Sequence, residues 1–100
     1  MLERAVEAKL VRGCRKFGSA VRCIKFKVGE GYPDRIILIR PSAVLFVEVK
    51  APGVHLRPRQ EFRVRELEAL GFTTIVVSNA EQVSAALSLI KHLVEARGIL

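Results

Sequence analysis

One hundred residues are the length of one compact domain, and with half of them hydrophobic there is enough apolar mass for a core but little area to spare. Seventeen Lys and Arg against ten Asp and Glu leave a net charge of +7, the balance of a protein that meets a polyanion through phosphate neutralisation and counterion release. No apolar run approaches the ~20 residues of a membrane span, the opening Met1-Leu2-Glu3-Arg4 lacks a signal-peptide core, and no P-loop or Gly-x-Gly-x-x-Gly run calls for a nucleotide, so a soluble intracellular protein with no membrane partner and no nucleotide cofactor is expected.

The first helix is expected over residues 2 to 17, with Leu2, Val6, Leu10, Cys14 and Phe17 as its apolar stripe. Arg4, Lys9, Arg12, Arg15 and Lys16 fall on the far side, and Glu3 and Glu7 lie at the stripe's edge, where each can pair with a base one turn away. A strand over residues 21 to 28 follows, on which Lys25 and Lys27 share a face, either as solvated edge charges or as a DNA-facing pair. Gly29-Glu30-Gly31-Tyr32 makes a flexible turn, and Tyr32 either stacks on a splayed base or packs beside Pro33.

Two aliphatic runs come next, Arg35-Ile36-Ile37-Leu38-Ile39 and Val44-Leu45-Phe46-Val47, joined by the turn-rich Arg40-Pro41-Ser42-Ala43 as a β-hairpin. Pro58 suits the first turn of a second helix, on which Gln60, Val64 and Leu67 recur at helical spacing. A glutamine on such a stripe wants hydrogen-bond partners, which a carboxylate or a site water would supply; otherwise it is a helix-surface residue. Arg57, Arg59 and Arg63 surround this helix as candidate phosphate contacts, with Arg65 beside them and Glu61, Glu66 and Glu68 as competing partners. Gly71 stops the helix, Thr73 to Val77 forms a further strand, and Asn79 with Gln82 caps a last helix with an apolar stripe through Val83, Ala86, Leu87, Ile90, Leu93 and Val94. Cys14 and Cys23 have no metal-like spacing and are expected free; His55 reads as a loop residue and His92 as structural.

The chemistry concentrates at the ends of the hairpin. A turn centred near Pro41 sets Asp34 opposite Glu48, and cross-strand Cβ atoms lie about 4.5 to 5.5 Å apart. Strand alternation puts Lys50 on the same face as Glu48. Two carboxylates at that spacing repel unless a proton or cation lies between them. A hard divalent ion, Mg²⁺ or Mn²⁺, would find oxygen ligands in Asp34, Glu48 and the main-chain carbonyl of Val49, with Lys50 beside it to orient water and offset phosphate charge. Glu48-x-Lys50 alone reads as an ordinary surface pair; Pro33-Asp34 at matching register turns the reading toward a site.

Pro33-Asp34 followed by Glu48-x-Lys50 resembles the PD-(D/E)xK nuclease signature. More narrowly, Gly31-Tyr32-Pro33-Asp34-Arg35, Phe46-Val47-Glu48-Val49-Lys50-Ala51-Pro52-Gly53 and the downstream Gln60 are similar to the virus-type replication-repair nuclease family, VRR-NUC, over nearly the whole chain. The resemblance implies Asp34 and Glu48 as metal ligands, Lys50 as catalytic, and Gln60 and a first-helix glutamate, Glu7 with Glu3 as its rival, lining the site. It also implies an α/β fold with a restriction-endonuclease-like core: a mixed central sheet flanked by helices in the order αβββαβα, as one domain over residues 1–100. The function expected is metal-dependent hydrolysis of DNA, selective for branched structures in the manner of a Holliday-junction resolvase acting in DNA repair, by a homodimer in the bacterial cytosol or a phage-infected cell. The alternatives are a nonenzymatic DNA-binding recruitment module and a flap or nonspecific duplex nuclease.

Overall fold

A computed structural model describes residues 2–96; Met1 and residues 97–100, the ends of the expected domain, lie outside the described residues. The elements are α1 (Glu3–Arg15), a 3-10 turn (Gly18–Ala20), β1 (Val21–Lys25), β2 (Arg35–Ile39), β3 (Ala43–Val49), α2 (Pro58–Ala69), β4 (Thr73–Val77) and α3 (Ala80–Ala96). This is the expected order with a 3-10 turn added.

One four-stranded sheet runs β1-β2-β3-β4. The two hairpin-linked pairings are antiparallel, and β4, which returns through α2, lies parallel to β3, as strands joined by a crossover helix do. The β2/β3 register pairs Ile39 with Ala43 and Arg35 with Val47. One step further along the same register brings Asp34 opposite Glu48, as the turn position predicts.

Alternation then divides the sheet into two unlike faces. Ile37, Ile39, Leu45, Val47, Val49 and Val77 point to one side and are buried against Val6, Leu10 and Cys14 of α1 and Val83, Ala86, Ile90 and Val94 of α3. Each such aliphatic side chain contributes about 1.5 to 3 kcal/mol by leaving water, so the stability of a small chain is concentrated on this face. Helices α1 and α3 pack closely because Gly13 faces Leu87, whose side chain occupies the place of a Cβ. The thiols of Cys14 and Cys23, both free, interact across α1 and β1 on this side.

The other face, on which α2 lies, is mixed. Phe46 packs edge-on to Phe72 and tilted to Phe26, but Ile24, Leu38 and Val76 remain exposed at 40% or more. Helix α3 starts as expected: Asn79 Oδ1 accepts the Gln82 N–H at 2.8 Å, and Gln82 Oε1 accepts the Ser78 N–H at 2.7 Å.

The strand expected over residues 21 to 28 stops at Lys25. Phe26 makes one more sheet-like bond, its N–H donating to the Asp34 carbonyl at 2.7 Å. The chain then turns through Gly29, Glu30 and Gly31, all with positive φ, which no strand can accommodate. Lys27 therefore stands outside the strand and does not share a pleated face with Lys25.

Candidate active site

Strand β3 carries Glu48 into the interior at 3% exposure, with Lys50 just past its end at 9% and Gln60 of α2 at 6%. Three buried polar side chains in a domain this small need partners, and they are one another's. Gln60 Nε2 donates to Glu48 Oε2 at 2.7 Å, and Lys50 Nζ lies 3.6 Å from the same oxygen.

The amide of Gln60 is oriented from its other end as well. Its Oε1 accepts the backbone N–H of Arg57 at 2.8 Å, which closes one half of a capping box at the start of α2. Arg57 has no side-chain acceptor to return the bond. Gln60 thus both caps its helix and presents an N–H to Glu48, the carboxylate partner that its place on the stripe calls for.

Asp34 enters from the start of β2. Its Oδ2 accepts the backbone N–H of Val49 at 3.0 Å, tying the two hairpin strands together beside Glu48. The pKa of Glu48 is raised to about 7, first by burial and then by the Asp34 charge, with Lys50 pulling the other way. Glu48 Oε1 is buried and, among the described residues, has no hydrogen-bond partner. A crowded carboxylate pair with one orphan oxygen is an acceptor set that lacks a donor or a cation.

Asp34, Glu48, Val49, Lys50 and Gln60 therefore converge on one end of the hairpin. Glu7 is bonded elsewhere: its Oε2 accepts from Arg35 Nε at 2.8 Å. Arg35 points with Val47 toward α1, so this ion pair lies on the opposite side of the strand from Glu48. Glu3 is exposed. Arg35, the residue after Asp34, is a partner that the spacing of charged residues along the chain did not reveal. With Glu7, Arg4, Arg12 and Arg15 it lines a groove of about 460 Å³.

Of the expected phosphate contacts, Lys25, Lys27, Arg57 and Arg59 are exposed, and Lys25 borders a second cavity with Arg15, Arg22 and Arg35. Arg63 differs. Its guanidinium bonds the Glu30 carbonyl, the Glu30 carboxylate and Glu66, and lies 4.5 Å from the centre of the Tyr32 ring. Tyr32 accordingly has Arg63 over one face of its ring and Phe26 in a T-shaped contact. His55 is an exposed loop residue, as expected.

No family model matches the chain. It is 33% identical over 79 residues to the "Putative nuclease p44" of Acyrthosiphon pisum secondary endosymbiont phage 1, an alignment covering 79% of this chain and 85% of that protein. Its fold is similar to that of a solved "VRR_NUC domain", with a TM-score of 0.73 and 23% identity over 86% of this chain and 94% of the other. A solved "VRR_NUC domain protein" superposes with a TM-score of 0.69 and 19% identity, covering 95% of this chain and 89% of its own. The two structural likenesses establish the fold, the phage relative joins the sequence to a nuclease, and the motif residues meet at one end of the hairpin: the chain belongs to the VRR-NUC nuclease family.

Proposed function

We propose that the protein is a Mg²⁺- or Mn²⁺-dependent endonuclease that hydrolyses DNA phosphodiester bonds, acts preferentially on branched DNA, and works as a homodimer in the manner of a Holliday-junction resolvase. The observation that carries the chemistry is the buried Glu48, pressed against Asp34 and left with an unpartnered oxygen. A divalent ion fits that donor set: two carboxylates and the Val49 carbonyl are hard oxygen ligands, and a cation would relieve the repulsion between the acids. Among the described residues no group of three or more His, Cys, Asp or Glu comes together, so water and phosphate oxygens would complete the shell, as Mg²⁺ prefers.

When bound, such an ion lowers the pKa of water and stabilises charge that develops on the phosphorane. Lys50, held beside Glu48, donates to the attacking water or to a non-bridging phosphate oxygen and offsets the growing negative charge. Gln60 keeps the Glu48 carboxylate in one orientation, and the Val49 N–H does the same for Asp34. Glu7 pairs with Arg35 across the strand from Glu48, in the groove lined by Arg4, Arg12 and Arg15. Lys25, Lys27, Arg57 and Arg59 supply sequence-independent attraction for the backbone.

The branched-DNA preference rests on the family membership and on size: a small domain with one site would need a second copy to cut two strands of a junction. Cleavage of end-labelled four-way junction, flap and linear duplex at matched salt with Mg²⁺ or Mn²⁺ tests the whole reading. Paired junction cuts are expected, lost in Lys50→Ala. Equal cutting of linear duplex would remove the junction preference, and binding without cutting under every metal condition would make the protein a recruitment module.

A further inference from the structure

The segment that delivers Asp34 turns through three successive residues in the left-handed region. Gly29, Glu30 and Gly31 have φ of 72°, 57° and 81°. Glycine takes such angles freely, but Glu30 is the one non-glycine among the described residues to do so, and a side chain there is disfavoured. A conformation of this kind persists when its surroundings over-determine it, and it tends to occur where geometry matters to function.

What over-determines it is one face of α2. Arg63 Nε donates to the Glu30 carbonyl at 3.0 Å, one terminal nitrogen reaches the Glu30 carboxylate at 3.2 Å, and the other reaches Glu66 at 3.1 Å. The guanidinium plane also covers the Tyr32 ring, whose hydroxyl donates to the same Glu66 oxygen at 3.4 Å. Gly31 is pressed so closely on α2 that a Cβ would stand 2.8 Å from the Arg59 carbonyl. With 17% side-chain exposure and its donors committed, Arg63 is a half-buried fork and not a free surface charge. Three residues earlier, the same helix holds Gln60 against Glu48.

We infer that Arg63 is a positioning residue: it locks residues 29 to 32 onto α2, so that Asp34 and Gln60 arrive at Glu48 from one rigid platform. The inference rests on the nuclease reading and assigns to Arg63 a role other than phosphate contact. Only a planar, multiply donating side chain can bond a carbonyl and two carboxylates while stacking on an aromatic ring, so lysine does not replace it.

Tyr32 is the sole tyrosine and the chain has no tryptophan, so its emission and anisotropy report on the lock without metal or DNA. The experiment compares wild type, Arg63→Ala, Arg63→Lys and Glu30→Gly by tyrosine anisotropy, Mn²⁺ calorimetry and cleavage kinetics, with circular dichroism confirming the fold. Both Arg63 variants are expected to lower Tyr32 anisotropy, weaken Mn²⁺ about tenfold and reduce kcat at saturating DNA with KM little changed. Glu30→Gly, which keeps the carbonyl contact but removes one of the two carboxylates, is expected to fall between wild type and Arg63→Ala. A rise in KM and a shallower salt dependence, with kcat and Mn²⁺ affinity intact, would make Arg63 a phosphate contact and overturn the inference. So would loss of the Tyr32 signal with no change in Mn²⁺ affinity or kcat. A wild type that neither binds Mn²⁺ nor cuts DNA would instead defeat the nuclease reading itself, whatever the tyrosine reports.

Discussion

The two faces of the central hairpin are built to opposite rules. Toward α1 and α3, Ile37, Ile39, Leu45, Val47 and Val49 are buried against apolar partners alone. Toward α2, the same strands and their ends present Asp34, Glu48 and Lys50, with a charged pair and an amide removed from water around one oxygen. The comparison teaches a division of labour: the apolar face contributes most of the stability, which allows the polar face to hold groups in an unfavourable state. Neighbouring residues on one strand, Val47 and Glu48, therefore answer to different pressures.

The largest effect expected on the polar face is on chemistry. Lys50→Ala should lower cleavage by about 10³-fold, the scale seen when an electrostatic stabiliser is removed from an active site. Its thermal midpoint at pH 8 should fall as well, because the buried Glu48 loses its ammonium partner. Initial rates at saturating DNA together with a melting curve check both halves.

On the apolar face the order inverts. Ile37 is fully buried, and Ile37→Ala should destabilise by about 2 to 5 kcal/mol, measured by urea unfolding. The rate constant of the molecules that remain folded should change little.

A sharper contrast comes from Glu48. Its pKa is about 7 when folded against an ordinary 4.5, so between those values the folded state keeps a proton that the unfolded chain has lost. Its contribution to stability is complete below about pH 4.5 and declines as pH rises to 7, by on the order of 3 kcal/mol. Glu48→Gln should therefore be inactive yet about 1 to 3 kcal/mol more stable than wild type at pH 8 without divalent ions, a difference that shrinks toward pH 5. Denaturant titrations at the two pH values read it directly. The smallest effect belongs to the exposed Arg65–Glu61 pair, 3.9 Å apart: Arg65→Ala should shift stability by less than about 0.5 kcal/mol and leave cleavage unchanged.

The same division explains what could be read before the fold was known. The hairpin register was legible because β-branched runs, a proline-bearing turn and a two-residue period leave one pairing that buries Ile37, Ile39 and Val47. Asp34, Glu48, Lys50 and Gln60 follow from that register and from helical spacing. Glu7 was legible as an edge residue, but its partner was not, because Arg35 is remote in sequence and periodicity says nothing about which distant charge a side chain meets. Arg63 resembled its exposed neighbours Arg57 and Arg59 in sequence, and only the left-handed turn at residues 29–31 brings the Glu30 carbonyl to it. The early end of β1 has the same cause: Phe26, Lys27 and Val28 alternate like a strand, while the glycines that follow carry the chain off the sheet.

The measurement that tests the central claim most directly is calorimetric titration of Mn²⁺ into the wild type, Asp34→Asn and Glu48→Gln at pH 6 in two buffers of different ionisation enthalpy. The account predicts binding by the wild type with release of close to one proton as Glu48, with a pKa of about 7, ionises, and loss of binding in both variants. Equal binding by all three, or binding without proton release, would contradict it.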